Sequence, residues 1–126
     1  MITAVASGKG GTGKTTVLGS FAALALVIAE PTPSGLHDLG RVLQLPAHFR
    51  APTAISVNKW DINPDLTRGI ERFARDVGAA PLARIPLDDD VGEATAEAVP
   101  LVEWNQGAAA KAFRALWDDV ASWRAL

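Results

Sequence analysis

The sequence predicts an α/β domain in three layers, built on a reduced, mostly parallel sheet of about four strands. Three observations carry that expectation. Short apolar runs alternate along the chain with segments whose apolar residues recur at helical spacing. The first such run leads directly into a glycine-rich loop that is followed by helix-forming composition. The length of 126 residues fits one domain around one core, and a hydrophobic content of 48% argues against disorder.

Taken in order, Ile2 to Ala6 reads as a buried parallel strand ending in small residues. A helix is expected from Lys14 to about Ala25, and a second strand from Val27 to Ala29, closing at Glu30-Pro31-Thr32-Pro33. The next helix has Thr32 or Ser34 as its cap, with Pro33 suited to the first helical position. Its face is Leu36, Leu39, Val42 and Leu43, and Pro46 is expected to stop it. Ala54 to Val57 forms a third strand that runs into Asn58-Lys59-Trp60-Asp61. Asn63 and Pro64 start a helix in which Leu66, Ile70, Phe73, Ala74 and Val77 keep the helical period as far as Gly78. Leu82 to Ile85 is the fourth strand, followed by Pro86-Leu87-Asp88. A short helix is expected over Val91 to Ala98. A last one runs from about Gly107 to Leu126 with the stripe Phe113, Leu116, Trp117 and Val120.

Composition excludes several classes. A net charge of −2 gives no sign of a nucleic-acid surface. With no cysteine the chain can build no disulfide, zinc–thiolate site or iron–sulfur cluster. Met1 leads straight into a strand rather than a secretory signal. The longest apolar stretch, Phe21 to Ala29, is short of the roughly 20 residues that a bilayer requires. The expectation is a cytoplasmic domain.

The segment Gly8-Lys9-Gly10-Gly11-Thr12-Gly13-Lys14-Thr15 matches G-x-x-x-x-G-K-[ST] between a strand and a helix. Glycines permit positive φ and let the main chain approach phosphate closely. Successive N–H groups and the helix N-terminus then make an anion-binding concavity. Lys14 neutralises β- and γ-phosphate charge, the Thr15 hydroxyl is a magnesium ligand, and Thr16 adds a hydrogen bond toward the α-phosphate. ATP with Mg2+ is the expected ligand, on a P-loop NTPase-like domain.

Lys9-Gly10-Gly11-Thr12-Gly13-Lys14-Thr15-Thr16 resembles the deviant Walker A loop of the MinD/ParA/Mrp group of P-loop ATPases. The resemblance implies that Lys9 is a signature lysine, reaching across a homodimer interface to the partner's nucleotide as an arginine finger does. It extends through Glu30 to Leu39, Val57 to Asp61 and Ile85 to Asp88, which are similar to the branch carrying an inserted ferredoxin-like domain. In full-length members, ATP binding and hydrolysis act as a dimerisation switch.

Two segments of that family do not show between Thr16 and Glu30: the aspartate-rich turn and the Walker B strand, both of which serve magnesium and the attacking water. The ferredoxin insertion is not in the chain either. From Val17 to Ala29 there is no Pro, Asn or Asp, and Gly19 falls inside the helix, so helix must give way to strand without turn residues. We therefore expect residues 1–126 to be a single P-loop domain shortened internally near Ala25. The four remaining strands would stay contiguous, with the first at an edge. Val27-Ile28-Ala29-Glu30 imitates a Walker B strand, but its family position places Glu30 at the end of a different strand.

Asn58-Lys59-Trp60-Asp61 also has the N-K-x-D form that reads guanine, which keeps GTP as a competitor. The resemblance instead implies that Asn58 contacts adenine and that Pro86 to Asp88 lines its other side. Asp61 is equally a turn residue before the Asn63 cap. Asp88-Asp89-Asp90 reads as a cap and dipole partner rather than a metal site. His37 and His48 lack ligand spacing, and Trp104, Trp117 and Trp123 read as packing for the C-terminal helix. A module that binds without hydrolysing, a remnant that binds nothing and a small-molecule kinase are the rivals. Arg41, Arg50, Arg68, Arg72 and Arg84 look scattered rather than lid-like, which argues against the kinase.

Overall fold

A computed structural model describes residues 2–6, 24–48, 52–104 and 106–122. Its sheet has four parallel strands in the order β1-β2-β3-β4. They are β1 (Ile2–Ala6), β2 (Leu24–Ala29), β3 (Thr53–Val57) and the two-residue β4 (Ala80–Pro81). The helices are α1 (Pro33–His48), α2 (Pro64–Asp76), α3 (Asp90–Ala96), α4 (Leu101–Trp104) and α5 (Ala108–Ala121). The reduced parallel sheet is as expected, with β1 at one end.

Alternation along the strands builds the three layers. Val27 and Ala29 of β2, with Ile55 and Val57 of β3, face α1 and α2 and pack on Leu39, Leu43, Ile70 and Ala74. Leu24 and Leu26, with Ala54 and Ile85, face the other way onto Ala109, Leu116 and Val120 of α5. Ser56 is the polar residue buried on that second face, and its hydroxyl donates to the Ala83 carbonyl at 2.5 Å. The α1–α2 contact is close at Gly40, where an added Cβ would lie 3.8 Å from the Phe73 ring.

Several boundaries differ from the sequence expectation. Leu24 and Ala25 are strand, not the end of the preceding helix, because they pair in register with Ile2 and Thr3. Most of the expected helix, like the glycine loop, lies outside the described residues. Pro46 does not stop α1, which continues to His48; a proline removes one amide donor, and a last turn can still close around it. The fourth strand begins two residues early, at Ala80, and then loosens. Leu82 donates to Ile55 O and Ile85 to Val57 O, so Asn58 and Ile85 form only an isolated bridge.

The caps explain the helix starts. Thr32 caps α1, its hydroxyl accepting from Gly35 N at 3.0 Å. Asn63 caps α2, its side chain accepting from Leu66 N at 3.1 Å, and Pro64 takes the first position. Gly78, at φ 88, ends the α2 turn. In α5, Leu116 and Val120 are buried as expected, but Phe113 is 40% and Trp117 65% exposed. The buried stripe runs instead through Ala109 and Ala110, small enough to sit near the sheet. Val77, too, is turned outward, just beyond the last turn of α2.

Candidate functional site at the carboxyl edge of the sheet

Parallel pairing aligns the carboxyl ends of the strands. Ala6 is in register with Ile28, Ala29 with Val57, and Asn58 bridges Ile85. Everything that follows a strand therefore leaves the sheet at one edge, where open α/β sheets hold their ligands. The expected binding residues Gly8, Lys9, Gly10, Gly11, Thr12, Gly13, Lys14, Thr15 and Thr16 lie outside the described residues. In the sequence Gly8 follows the end of β1, which lies at this edge, by two positions. Asn58, Pro86 and Asp88 all lie within the described residues and arrive at the same edge.

Asn58 is fixed by its backbone, its N–H donating to Ala29 O at 2.7 Å. Lys59 adopts the left-handed conformation with φ 55, which turns the chain sharply into the 3-10 turn Trp60–Ile62. Its ammonium lies 3.5 Å from Glu30 Oε1, a half-exposed ion pair that bridges the ends of β2 and β3. Glu30 is thus paired with a lysine at the sheet edge.

Asp61 does something the sequence did not reveal. Its Oδ1 accepts from Leu87 N at 2.8 Å, which ties the turn after β3 to the Pro86–Asp88 loop. Trp60 N donates to Ile85 O at 3.2 Å and gives a second tie between the same two segments. Asp61 does not cap α2; that is done by Asn63. A cross-loop hydrogen bond of this kind has no local sequence signal, because its partners are 26 positions apart.

Asp88 is engaged on both oxygens. Oδ1 accepts from Asp90 N and Oδ2 from Ala109 N, each at 3.0 Å. The first holds the entry to α3 and the second satisfies an orphan amide in the first turn of α5. The expected cap of α3 is met only in part: its N-cap, Asp89, makes no side-chain cap hydrogen bond, and Asp88 instead holds Asp90 N locally and Ala109 N across 21 positions. The Ala109 and Asp90 amides hold the Asp88 carboxyl below its ordinary value of 3.8 by favouring the charged form. Among the described residues no group of His, Asp and Glu is arranged to hold a metal ion. His37 is exposed, and Trp123 lies outside the described residues.

Solved structures share the fold. The septum site-determining protein MinD of Pyrococcus horikoshii OT3, complexed with Mg-ADP, superposes with a TM-score of 0.64 at 22% identity, over 80% of this chain and 42% of that one. The cell division ATPase MinD of Pyrococcus furiosus gives a TM-score of 0.64 at 23% identity, over 79% and 43%. No protein-family model and no curated protein matches the sequence. The likeness is one of fold: the described residues share the α/β architecture of these MinD structures. The chain spans less than half the length of either MinD chain. No helix among the described residues is long and apolar enough to cross a membrane.

Proposed function

We propose that this chain is a P-loop nucleotide-binding domain of the MinD/ParA/Mrp type that holds ATP with magnesium at the carboxyl edge of its sheet. The observation that carries the reading is a sequence motif that follows directly on β1. A complete G-x-x-x-x-G-K-T match follows β1 in the sequence, and the carboxyl end of β1 lies at the edge where Asn58 and the Pro86–Asp88 loop converge, in a fold shared with a protein solved with Mg-ADP. The amides of Gly8 to Gly13 and the Lys14 ammonium hold the phosphates, Thr15 ligates the metal, and Thr16 supports the α-phosphate. Magnesium, when bound, offsets the negative charge of the β- and γ-phosphates. Asn58 reads the base, with Pro86 and the backbone at Asp88 beside it, since the Asp88 carboxylate is already engaged.

Adenine is favoured over guanine by Asp61. Reading guanine requires that carboxylate to accept from the base, and here one of its oxygens accepts from Leu87 N. In a second copy of the chain, Lys9 extends to the partner's nucleotide and the pair forms a nucleotide-dependent homodimer. The parent is a longer member of the ferredoxin-inserted branch, shortened near Ala25. A module that binds ATP and hydrolyses it poorly is the alternative within this reading.

Calorimetric titration with ATP, ADP and GTP in magnesium tests the proposal, with Lys14→Ala as control. Saturable ATP binding that is abolished in the variant and exceeds GTP binding is expected. Folded protein that binds no nucleotide would contradict it. Phosphate release no faster than in Lys14→Ala, despite ATP binding, selects the non-hydrolysing module.

A further inference from the structure

Arginines that look scattered along the sequence converge on α2 and the segment beyond β4. Arg68, Arg72 and Arg75 fall at helical spacing on one stripe of α2, and Arg84 comes alongside from beyond β4. With Glu71 they line a cleft of about 240 Å³. The chain as a whole carries a net charge of −2, yet this cleft sets four guanidinium groups against one lining carboxylate.

The four cations are not equivalent. Arg84 is held rigidly: its Nε and Nη2 lie 2.7 and 2.6 Å from Glu71 Oε1, and its guanidinium sits 5.2 Å from the centre of the Trp60 ring. The Glu71 carboxylate is buried and is neutralised by this pair, which leaves the Nη1 end of the Arg84 fork available. Arg68 pairs with Asp65, an aspartate at the exposed rim whose hold in water is weak. Arg72 and Arg75 are exposed and have no side-chain partner among the described residues. Like charges at these helical spacings repel one another weakly, and a bound anion offsets that repulsion.

We propose that this cleft is an anion site for a phosphate group, separate from the glycine loop. Arg84 is the pre-ordered fork, Arg72 and Arg75 close on the anion from the helix, and Arg68 can exchange Asp65 for it. Planar guanidinium groups match the oxygen spacing of phosphate and can bind it by two parallel hydrogen bonds. The concave shape and small volume suit a compact multivalent anion rather than a polymer backbone lying across a face. The chemistry is common to a free inorganic phosphate and to the phosphate ester of a small molecule.

The test uses the Lys14→Ala chain, so that binding at the glycine loop does not contribute. Inorganic pyrophosphate and glycerol phosphate are titrated by calorimetry, and Arg72→Ala/Arg75→Ala is compared in the same background. Both substituted side chains are exposed, and an unchanged melting temperature confirms an intact fold. Saturable binding that weakens at least tenfold in the double variant and falls with added salt is expected. Stronger binding of pyrophosphate assigns the site to a free inorganic anion; stronger binding of glycerol phosphate assigns it to an ester. Equal affinity with and without Arg72 and Arg75 would overturn the site, as would binding of a DNA duplex but of neither small anion. The glycine-loop reading stands or falls separately, on ATP binding by the unsubstituted chain.

Discussion

Gly35 shows how a single residue sets the geometry of the carboxyl edge. An added Cβ there would lie 2.2 Å from the Glu30 carbonyl oxygen and 3.0 Å from Thr32 Oγ1, so α1 starts directly against the end of β2 only because position 35 has no side chain. Gly35→Ala must push the helix away from backbone, which cannot yield as a side chain does. We expect a loss of about 1–3 kcal/mol, the usual cost of overpacking, read as a lower urea midpoint. Asp88 gives a prediction with a sign. Because the Ala109 and Asp90 amides lower its folded pKa, its stabilisation is complete above the unfolded value. It is lost as pH falls through the lowered folded value, that is, below the ordinary carboxylate range of about 4. Asp88→Ala should melt at a lower temperature at neutral pH and show a shallower loss of stability on acidification. An acid profile unchanged from the parent chain would contradict the assignment. Asp61→Ala should free the Leu87 amide and loosen the Pro86–Asp88 loop. The expected readout is faster hydrogen exchange at Leu87 and weaker ATP binding with no gain for GTP.

At the scale of elements, the signals that read true from sequence were those whose physics is local. The Asn63-Pro64 start of α2 is a cap that accepts from Leu66 N three residues away, and Gly78 ends the helix turn through its own φ. Asn63→Ala should therefore cost about 1 kcal/mol in chemical denaturation, as loss of an N-cap does. Signals that depend on distant partners were misread or missed. Leu24 and Ala25 have helix-compatible composition and become strand because β1 and β3 pair with them. The apolar stripe read along α5 put Phe113 and Trp117 inward, whereas the sheet admits the small Ala109 and Ala110. The Asp61–Leu87 and Asp88–Ala109 bonds span loops that only the folded sheet brings together. The arginine cleft had a partial signal in the helical spacing of Arg68, Arg72 and Arg75; Arg84 joins it only through Trp60 and Glu71.

For the whole molecule, a sheet of four parallel strands covered by helices on both faces is enough to align the ends of β1, β2 and β3 at one edge and to bring Ile85 beside Asn58 there. That alignment is the structural basis of the proposed nucleotide site, and it is reached in a chain covering less than half of the MinD structures it resembles. The most direct measurement is the change in backbone amide chemical shifts as MgATP is titrated into isotopically labelled protein. The account predicts large changes at Gly8 to Thr16, Asn58 and Leu87, and small ones at Arg72 and Arg75, which line the separate arginine cleft. Changes confined to the arginine cleft, or absent from the glycine loop at saturating MgATP, would contradict it.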